Sequence, residues 1–209
     1  MENKVYVIAI AEDVPQEEYR NYINPIKTRR YGRLLKRALV TAIKAMKDSG
    51  IEHPDAIING TALGCWEETE HLLDALAMEG EEVSMPTHFM QSTHNTIATM
   101  IGIYTKNHGY NSTYSQRGIS FECALLDAFL QMKSGKIKTA LVCENDEITP
   151  EMQQMLESTG LKEGVVCDRS KAVMLSTDPT NALYEIEDVI IKHVPHQEDT
   201  AEIKYKRCN

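Results

Sequence analysis

Long apolar runs are missing from this sequence. The run Val5–Ala11 near the N-terminus is far shorter than the ~20 residues that a membrane-spanning helix needs, and acidic residues follow it. It also lacks the small-residue cleavage site of a signal peptide. We therefore interpret it as a core strand, and we expect a cytoplasmic protein without a membrane span.

Disulfide and metal-binding patterns are missing as well. The 5 cysteines are widely spaced and include no C-x-x-C pair, which favours reduced thiols over a disulfide framework or a zinc finger. His193 and His196 flank Pro195 and lack the i, i+4 spacing of a zinc pair on a helix. We expect no metal and no other cofactor.

Positive charge is scarce, with 22 Lys and Arg against 31 Asp and Glu and a formal net charge of -9. Such a protein is a poor candidate for binding nucleic acid or an anionic membrane. The exception is a basic run from Lys27 to Arg37, in which Arg30, Arg33 and Arg37 recur at helical spacing on one face.

Apolar strand-like runs alternate with helical patterns along the chain. Residues Arg33–Ser49 carry apolar side chains at helical spacing and Gly50 follows them, so a helix with one buried stripe is predicted there. Repeated strand–helix–strand units predict a sheet covered by helices on both faces. The other predicted helices are Glu67–Met78, His94–Thr105, Ser120–Met132 and Pro150–Ser158, and the predicted strands are Val5–Ala11, Asp55–Ile58, Asn111–Ser115, Thr139–Cys143, Ala172–Ser176 and Tyr184–Val194.

The segment Tyr114–Ala128 is the most informative part of the chain. It reads as a short strand, a tight glycine turn and a helix, which is a good place for a nucleophile because a helix N-terminus presents free N–H groups. We call this turn the elbow. Its tip is Gln116, Arg117 and Gly118, and none of these side chains is an acyl nucleophile.

Substitute catalytic residues near the elbow are weak candidates. Ser120 is typical of a capping position in a first helical turn, and Cys123 is typical of a buried structural thiol. His94 could act as their base only within hydrogen-bond reach, which a sequence does not show.

Several segments together resemble the N-terminal half of beta-ketoacyl synthases, in the thiolase-like superfamily. Besides the elbow they are Arg29–Arg33, Ile57–Gly64, Pro86–Thr96, Ser134–Val142 and Val165–Ser176, so the likeness covers roughly residues 25–180. The chain is similar to short synthase-like proteins of bacterial aryl-polyene or flexirubin-type pathways.

The resemblance implies an α/β fold that is half of the thiolase-like architecture. It implies a mixed, mostly parallel five-stranded sheet covered by helices on both faces, with a central buried helix. Residues 1–180 would form the synthase-like domain, and residues 181–209 would be its C-terminal strand and polar tail. The strand Asn111–Ser115 would pair across the two-fold axis of a dimer.

Two departures from the family bear on activity. Active members carry an acylated cysteine at the elbow, where this chain has Arg117-Gly118 after Gln116. The family's second half supplies two His, or His and Asn, and this chain ends soon after the first half. We therefore expect a catalytically incomplete subunit, analogous to chain-length factors, that dimerises with itself or with an active ketosynthase and assists acyl-chain elongation.

Two alternatives stay open for the function. One is a residual acyltransferase or thioesterase that uses Ser120 or Cys123 with His94. The other is a module that binds an acyl carrier protein without chemistry.

The basic residues also have two interpretations. Because acyl carrier proteins are strongly acidic, Arg29, Arg30, Arg33 and Arg37 could attract one; equally, the basic run could be a solvated helix face with ion pairs to Glu17 and Glu18. Arg117 could hold an anion or form a salt bridge in a dimer.

Overall fold

The strands of the described residues join one mixed sheet. The computed structural model describes residues 3–80, 85–159 and 168–208, and these form a seven-stranded sheet in the order β3-β2-β4-β5-β1-β6-β7. The strands are β1 Val5–Glu12, β2 Ala56–Gly60, β3 Tyr110–Tyr114, β4 Thr139–Asp146, β5 Arg169–Ser176, β6 Tyr184–Lys192 and β7 Thr200–Arg207.

Two details of the predicted sheet are wrong. The sheet has seven strands instead of five, because β6 and β7 extend it beyond β1. It is also not mostly parallel: β2 runs parallel to β3 and β4, whereas every other neighbouring pair is antiparallel. The polar strand β7 gave no apolar signal because it lies at the sheet edge, where most of its side chains face solvent.

The helices lie close to their predicted positions. The first runs from Arg33 to Ser49 as predicted, and Gly50 ends it in a left-handed conformation with φ 72°. The segment Pro86–Thr96, which resembles the family's loop before the central helix, contains the short helix Pro86–Ser92. The helices are α1 Arg33–Ser49, α2 Trp66–Glu79, α3 Pro86–Ser92, α4 Thr96–Thr105, α5 Ser120–Lys133 and α6 Pro150–Thr159, with 3₁₀ turns at Gln16–Asn21 and Arg117–Ile119.

None of the helices in the described ranges has both the length and the apolar character that crossing a bilayer requires. The segment Val165–Ser176, which carries part of the family resemblance, lies partly outside those ranges, and its described part contains β5.

Two apolar cores lie on opposite faces of the sheet. On one face, Ile57 of β2 and Leu141 of β4 pack with α1 and α4. On the other face, the neighbouring residues Ile58 and Val142 pack with α5. This alternation follows from the two-residue period of a strand, and it gives three layers, helix–sheet–helix.

The predicted central helix is α4. Its residues Ile97, Ala98 and Ile101 are completely buried in the core that α1 also lines. Ile103 is 63% exposed, however, so this helix is buried along one side only in the described residues.

Two buried carboxylates at the end of β4 connect the sheet to its surrounding loops. Asp146 accepts hydrogen bonds from the Thr61 hydroxyl at 2.8 Å and from the backbone N–H groups of Ala62 and Leu63 at 2.9 and 2.8 Å. This carboxylate therefore shapes the turn that follows β2. Burial raises the pKa of Asp146 above its ordinary value, although these hydrogen bonds act in the opposite direction.

Glu147 holds the first turn of α2. Its Oε1 atom accepts a hydrogen bond from the backbone N–H of Glu67 at 3.0 Å, and its Oε2 atom lies 3.6 Å from the guanidinium of Arg33. The side chain is only 1% exposed. Burial raises the pKa of Glu147 to about 7, which outweighs the opposing effects of the hydrogen bond and of Arg33.

Replacing Gly60 with alanine should destabilise the fold. A Cβ atom at this position would lie 2.6 Å from the backbone nitrogen of Phe121, so the end of β2 and the start of α5 would have to separate. We expect Gly60→Ala to lower the free energy of unfolding by about 1–3 kcal/mol in urea denaturation. The control Gly102→Ala, whose Cβ would have its nearest neighbour at 3.4 Å, should change it by less than about 1 kcal/mol. Equal effects of the two substitutions would contradict the close approach.

Glu147 should make stability fall as pH rises from about 4.5 to about 7. Across this window the unfolded carboxyl loses its proton while the folded one keeps it, so the folded state binds more protons and loses stability with rising pH. Glu147→Gln cannot ionise and keeps an acceptor for the Glu67 N–H. Relative to wild type it should gain roughly 1–3 kcal/mol between pH 4.5 and 7.5 in urea denaturation. The exposed control Glu187→Gln should show no such gain. The raised pKa would be contradicted if the free energy of unfolding of Glu147→Gln differed from that of wild type by the same amount at every pH.

Candidate functional site

The elbow keeps the backbone conformation of a sharp strand-to-helix turn. Arg117, at its tip, has φ 48°, in the left-handed region that side chains other than glycine rarely adopt. A 3₁₀ turn, Arg117–Ile119, leads directly into α5. Gln116, Arg117 and Gly118 are exposed, so the tip is accessible in the described structure.

Ser120 stabilises this turn through its hydroxyl group. The Ser120 Oγ atom accepts a hydrogen bond from the backbone N–H of Gln116 at 2.8 Å and donates one to the carbonyl of Arg117 at 2.7 Å. The residue is buried. Ser120 lies in the first turn of α5 but does not cap it as predicted, since the N-cap position is Ile119 and has no side-chain hydrogen bond. Both hydrogen-bonding functions of the hydroxyl are instead occupied within the turn that precedes the helix.

Cys123 and His94 do not form a catalytic pair with Ser120 in the described residues. Cys123 is half-buried, and burial raises the pKa of its thiol, which disfavours the nucleophilic thiolate. His94 is exposed and lies beside the glycine turn after β2, where a Cβ on Gly64 would be 3.7 Å from its Cα atom. No hydrogen bond of the described chain joins His94 to Ser120 or Cys123.

A carboxylate from the far end of the chain reaches the elbow. Asp199, between β6 and β7, accepts a hydrogen bond from the Gln116 side-chain amide at 2.7 Å and lies 2.6 Å from Nδ1 of His193. The hydrogen bonds from His193 and Gln116 lower the pKa of Asp199. The contact between Gln116 and Asp199 was not predicted from the sequence, because these two residues are more than 70 positions apart in the chain.

The four arginines of the basic run have different environments. Arg37 lies 2.6 Å from the Asp168 carboxylate and donates a hydrogen bond to the carbonyl of Asp146 at 2.6 Å. Arg33 lies 3.6 Å from both Glu147 and Asp168. Both arginines therefore pair with acidic residues, but their partners in the described residues are Glu147 and Asp168 and not the expected Glu17 and Glu18.

Arg29 and Arg30 precede α1 and are exposed. Within the described part of the chain neither side chain forms an ion pair, so their charges are available to an acidic ligand. Of the four predicted carrier-binding residues, these two are therefore the ones most open to a partner.

One group with metal-binding chemistry was not predicted from the sequence. Glu68 and His71 of α2 and His88 of α3 each bring a potential ligand atom to within 4.8 Å of the others. The available signal was the E-x-x-H spacing in α2, which places both side chains on one helix face.

Comparison with known proteins assigns the fold and the family. The profile described as "Beta-ketoacyl synthase, N-terminal domain" matches residues 7–205. None of the curated proteins matches the sequence.

Three solved structures resemble the chain over most of its length. A type II polyketide synthase acyl-carrier protein in complex with its ketosynthase, bound to the hexaketide, gives a TM-score of 0.78 at 15% identity and covers 93% of this chain and 71% of that one. The ishigamide ketosynthase/chain length factor gives a TM-score of 0.75 at 13% identity. The match covers 91% of this chain and 64% of that one. A ketosynthase (ApeO) in complex with its chain length factor (ApeC) from Xenorhabdus doucetiae gives 0.67 at 12% identity, with coverages of 90% and 61%.

The chain thus spans less than two thirds of the second and third of these structures. At such identities the likeness shows the fold, and it confirms the thiolase-like α/β class. The family match rests on the sequence itself and covers nearly the whole chain: this protein belongs to the beta-ketoacyl synthase N-terminal domain family.

Proposed function

We propose that this protein is a catalytically incomplete ketosynthase-like subunit that pairs with a second thiolase-type chain and assists acyl-chain elongation. The observation that carries the proposal is Arg117 at the tip of the elbow, in a left-handed conformation with φ 48°. A guanidinium group stays protonated at any physiological pH and cannot form an acyl intermediate.

The geometry gives less support to a residual acyltransferase or thioesterase. Such an enzyme needs an activated nucleophile beside a base. The hydroxyl of Ser120 already accepts one hydrogen bond and donates another, and the thiol of Cys123 has a raised pKa. A subunit without its own nucleophile fits these surroundings better.

The free edge of β3 supports assembly with a second chain. The backbone N–H of Tyr110 and the carbonyl of Tyr114 point inward, since they bond to Asp55 and Thr61 beside β2. Because backbone groups alternate along a strand, those of Asn111 and Thr113 point outward, where the sheet ends. Unpaired edge groups of this kind are suited to pairing with the same strand of a second subunit.

Two of the similar structures support the same kind of partner. Each of them is a ketosynthase together with a chain length factor. We propose that this chain likewise forms a homodimer or a heterodimer with an active ketosynthase, and that the exposed Ile103 of α4 lies near the contact.

An acyl carrier protein is the second partner that we propose. Arg29 and Arg30 present exposed positive charge on a chain whose net charge is -9, and one similar structure is a ketosynthase with its acyl-carrier protein. An acidic carrier would be drawn to this surface. The alternative of carrier binding without any part in elongation uses the same surface.

We also propose that the protein acts in the cytoplasm, where this class of biosynthesis takes place. The described cysteines Cys65, Cys123, Cys143 and Cys208 are all free thiols, which is typical of a reducing compartment.

Proline at position 113 should prevent assembly without disturbing the chain's own sheet. Thr113→Pro removes an N–H that points away from β2, so it costs a hydrogen bond only if another strand pairs there. Wild-type protein should be dimeric, alone or with a co-expressed ketosynthase, and the variant monomeric, by light scattering after gel filtration. The control Thr113→Val keeps the N–H and removes only a hydroxyl that has no hydrogen-bond partner among the residues that the structure describes.

That control should assemble like wild type. A monomeric wild-type protein that captures no ketosynthase on co-expression would refute the proposed assembly. A dimer that persists in Thr113→Pro would place the contact elsewhere.

Reversing the exposed charges should slow association with an acyl carrier protein. We expect the double variant Arg29→Glu and Arg30→Glu to associate about 10-fold more slowly at low salt, with a much smaller difference in ~0.5 M NaCl. Surface plasmon resonance with a holo acyl carrier protein measures this rate. The control double variant Lys204→Glu and Lys206→Glu on β7 changes the net charge by the same amount and should have little effect on the association rate. If both double variants slowed association equally, only the net charge of the protein would matter.

A further inference from the structure

A cluster of metal-ligating side chains lies between α2 and α3. Glu68 and His71 are one helical turn apart on α2, and His88 lies in the first turn of α3. Their nearest ligand atoms are all within 4.8 Å of one another, and no other trio of His, Cys, Asp or Glu in the described residues lies so close together.

The carboxylate of this cluster is buried against an imidazole ring. Glu68 is 8% exposed, and its Oε2 atom lies 2.5 Å from Nδ1 of His88. Among the described residues no Lys or Arg pairs with it. The rings of His71 and His88 meet edge to face with centroids 5.4 Å apart, so both imidazoles converge on the carboxylate.

The loop before α1 holds both sides of the cluster in place. Gly32 leaves room for the Glu68 carboxylate, since a Cβ atom there would lie 3.2 Å from its carboxyl carbon. The buried Gln91 of α3 accepts a hydrogen bond from the Gly32 N–H at 3.1 Å and donates one to the Arg30 carbonyl at 3.0 Å. The loop at Gly32 is thus hydrogen-bonded to α3 and packs against the Glu68 side chain of α2, which restricts the positions of both ligands.

We propose that Glu68, His71 and His88 bind a zinc ion. Two imidazoles and one carboxylate form a ligand set that Zn²⁺ accepts, with a fourth position left for water. In a tetrahedral site with bonds of about 2.0–2.1 Å, neighbouring ligand atoms are about 3.3 Å apart. The Glu68 and His88 atoms therefore need to separate only slightly, by side-chain rotation, to admit the ion.

The ion would join α2 to a helix that is too short to be stable by itself. Helix α3 has 7 residues, and isolated helices of this length do not form in water. It carries Phe89 and Met90, which are 62% and 70% exposed. A zinc link would fix the position of this surface, and this inference is independent of the proposed role in acyl-chain elongation.

Zinc and cobalt titrations of the metal-free protein test the site. We expect one Zn²⁺ per chain in calorimetry, and a visible spectrum of tetrahedral Co²⁺ without the near-ultraviolet band that thiolate ligands produce. At 100 times the dissociation constant, zinc should raise the melting midpoint by roughly 5–10 °C. His71→Ala, His88→Ala and the size-matched Glu68→Gln should each lower the affinity by at least about 10–100-fold.

Matched controls are the exposed histidines His53 and His108, which lie outside the cluster. His53→Ala and His108→Ala should bind zinc like wild type. Circular dichroism without metal shows which variants are folded. If a histidine variant is unfolded, the folded Glu68→Gln variant still provides the test. Unchanged affinity in the folded cluster variants, or a cobalt–thiolate band in wild type, would overturn the proposal.

Discussion

Burial of the Asp146 and Glu147 carboxylates at the end of β4 is the constraint on which the neighbouring structure depends. A buried charge is tolerated only with partners, and these two groups obtain theirs from the turn after β2, from α2 and from α1. Arg37 completes the connection by donating to the Asp146 carbonyl. Glu147 and Asp168 pair with Arg33, and Asp168 also pairs with Arg37. Arg29 and Arg30 therefore remain the exposed arginines of the basic run without an ion pair in the described ranges.

The elbow is a second local constraint, and its shape does not require a nucleophile. Gly60 lets α5 start against the end of β2, and the Ser120 hydroxyl closes the turn around the left-handed Arg117. These contacts use backbone atoms and one hydroxyl, so the residue at the tip can change without loss of the turn. A turn whose shape is independent of its tip residue is what the proposed incomplete subunit requires of an elbow that carries an arginine.

The sequence was most informative where one physical rule dominates. The apolar period of α1 and the stop at Gly50 predicted both ends of that helix correctly, and the strand, turn and helix pattern predicted the elbow. For β7 the sequence did not decide between an edge strand and a loose tail, because an exposed edge strand has no apolar pattern. It also could not pair Gln116 with Asp199, or His88 with Glu68, since such contacts depend on how distant segments pack.

The central claim is that the elbow retains its geometry but has no nucleophile, and acylation tests this directly. Intact-mass spectrometry after incubation with an acyl thioester should show no adduct on the wild-type protein. Arg117→Cys places a thiol at the left-handed position and should gain one acyl group on that residue. A stoichiometric adduct on wild-type Ser120 or Cys123 would contradict the claim and establish a residual acyltransferase instead.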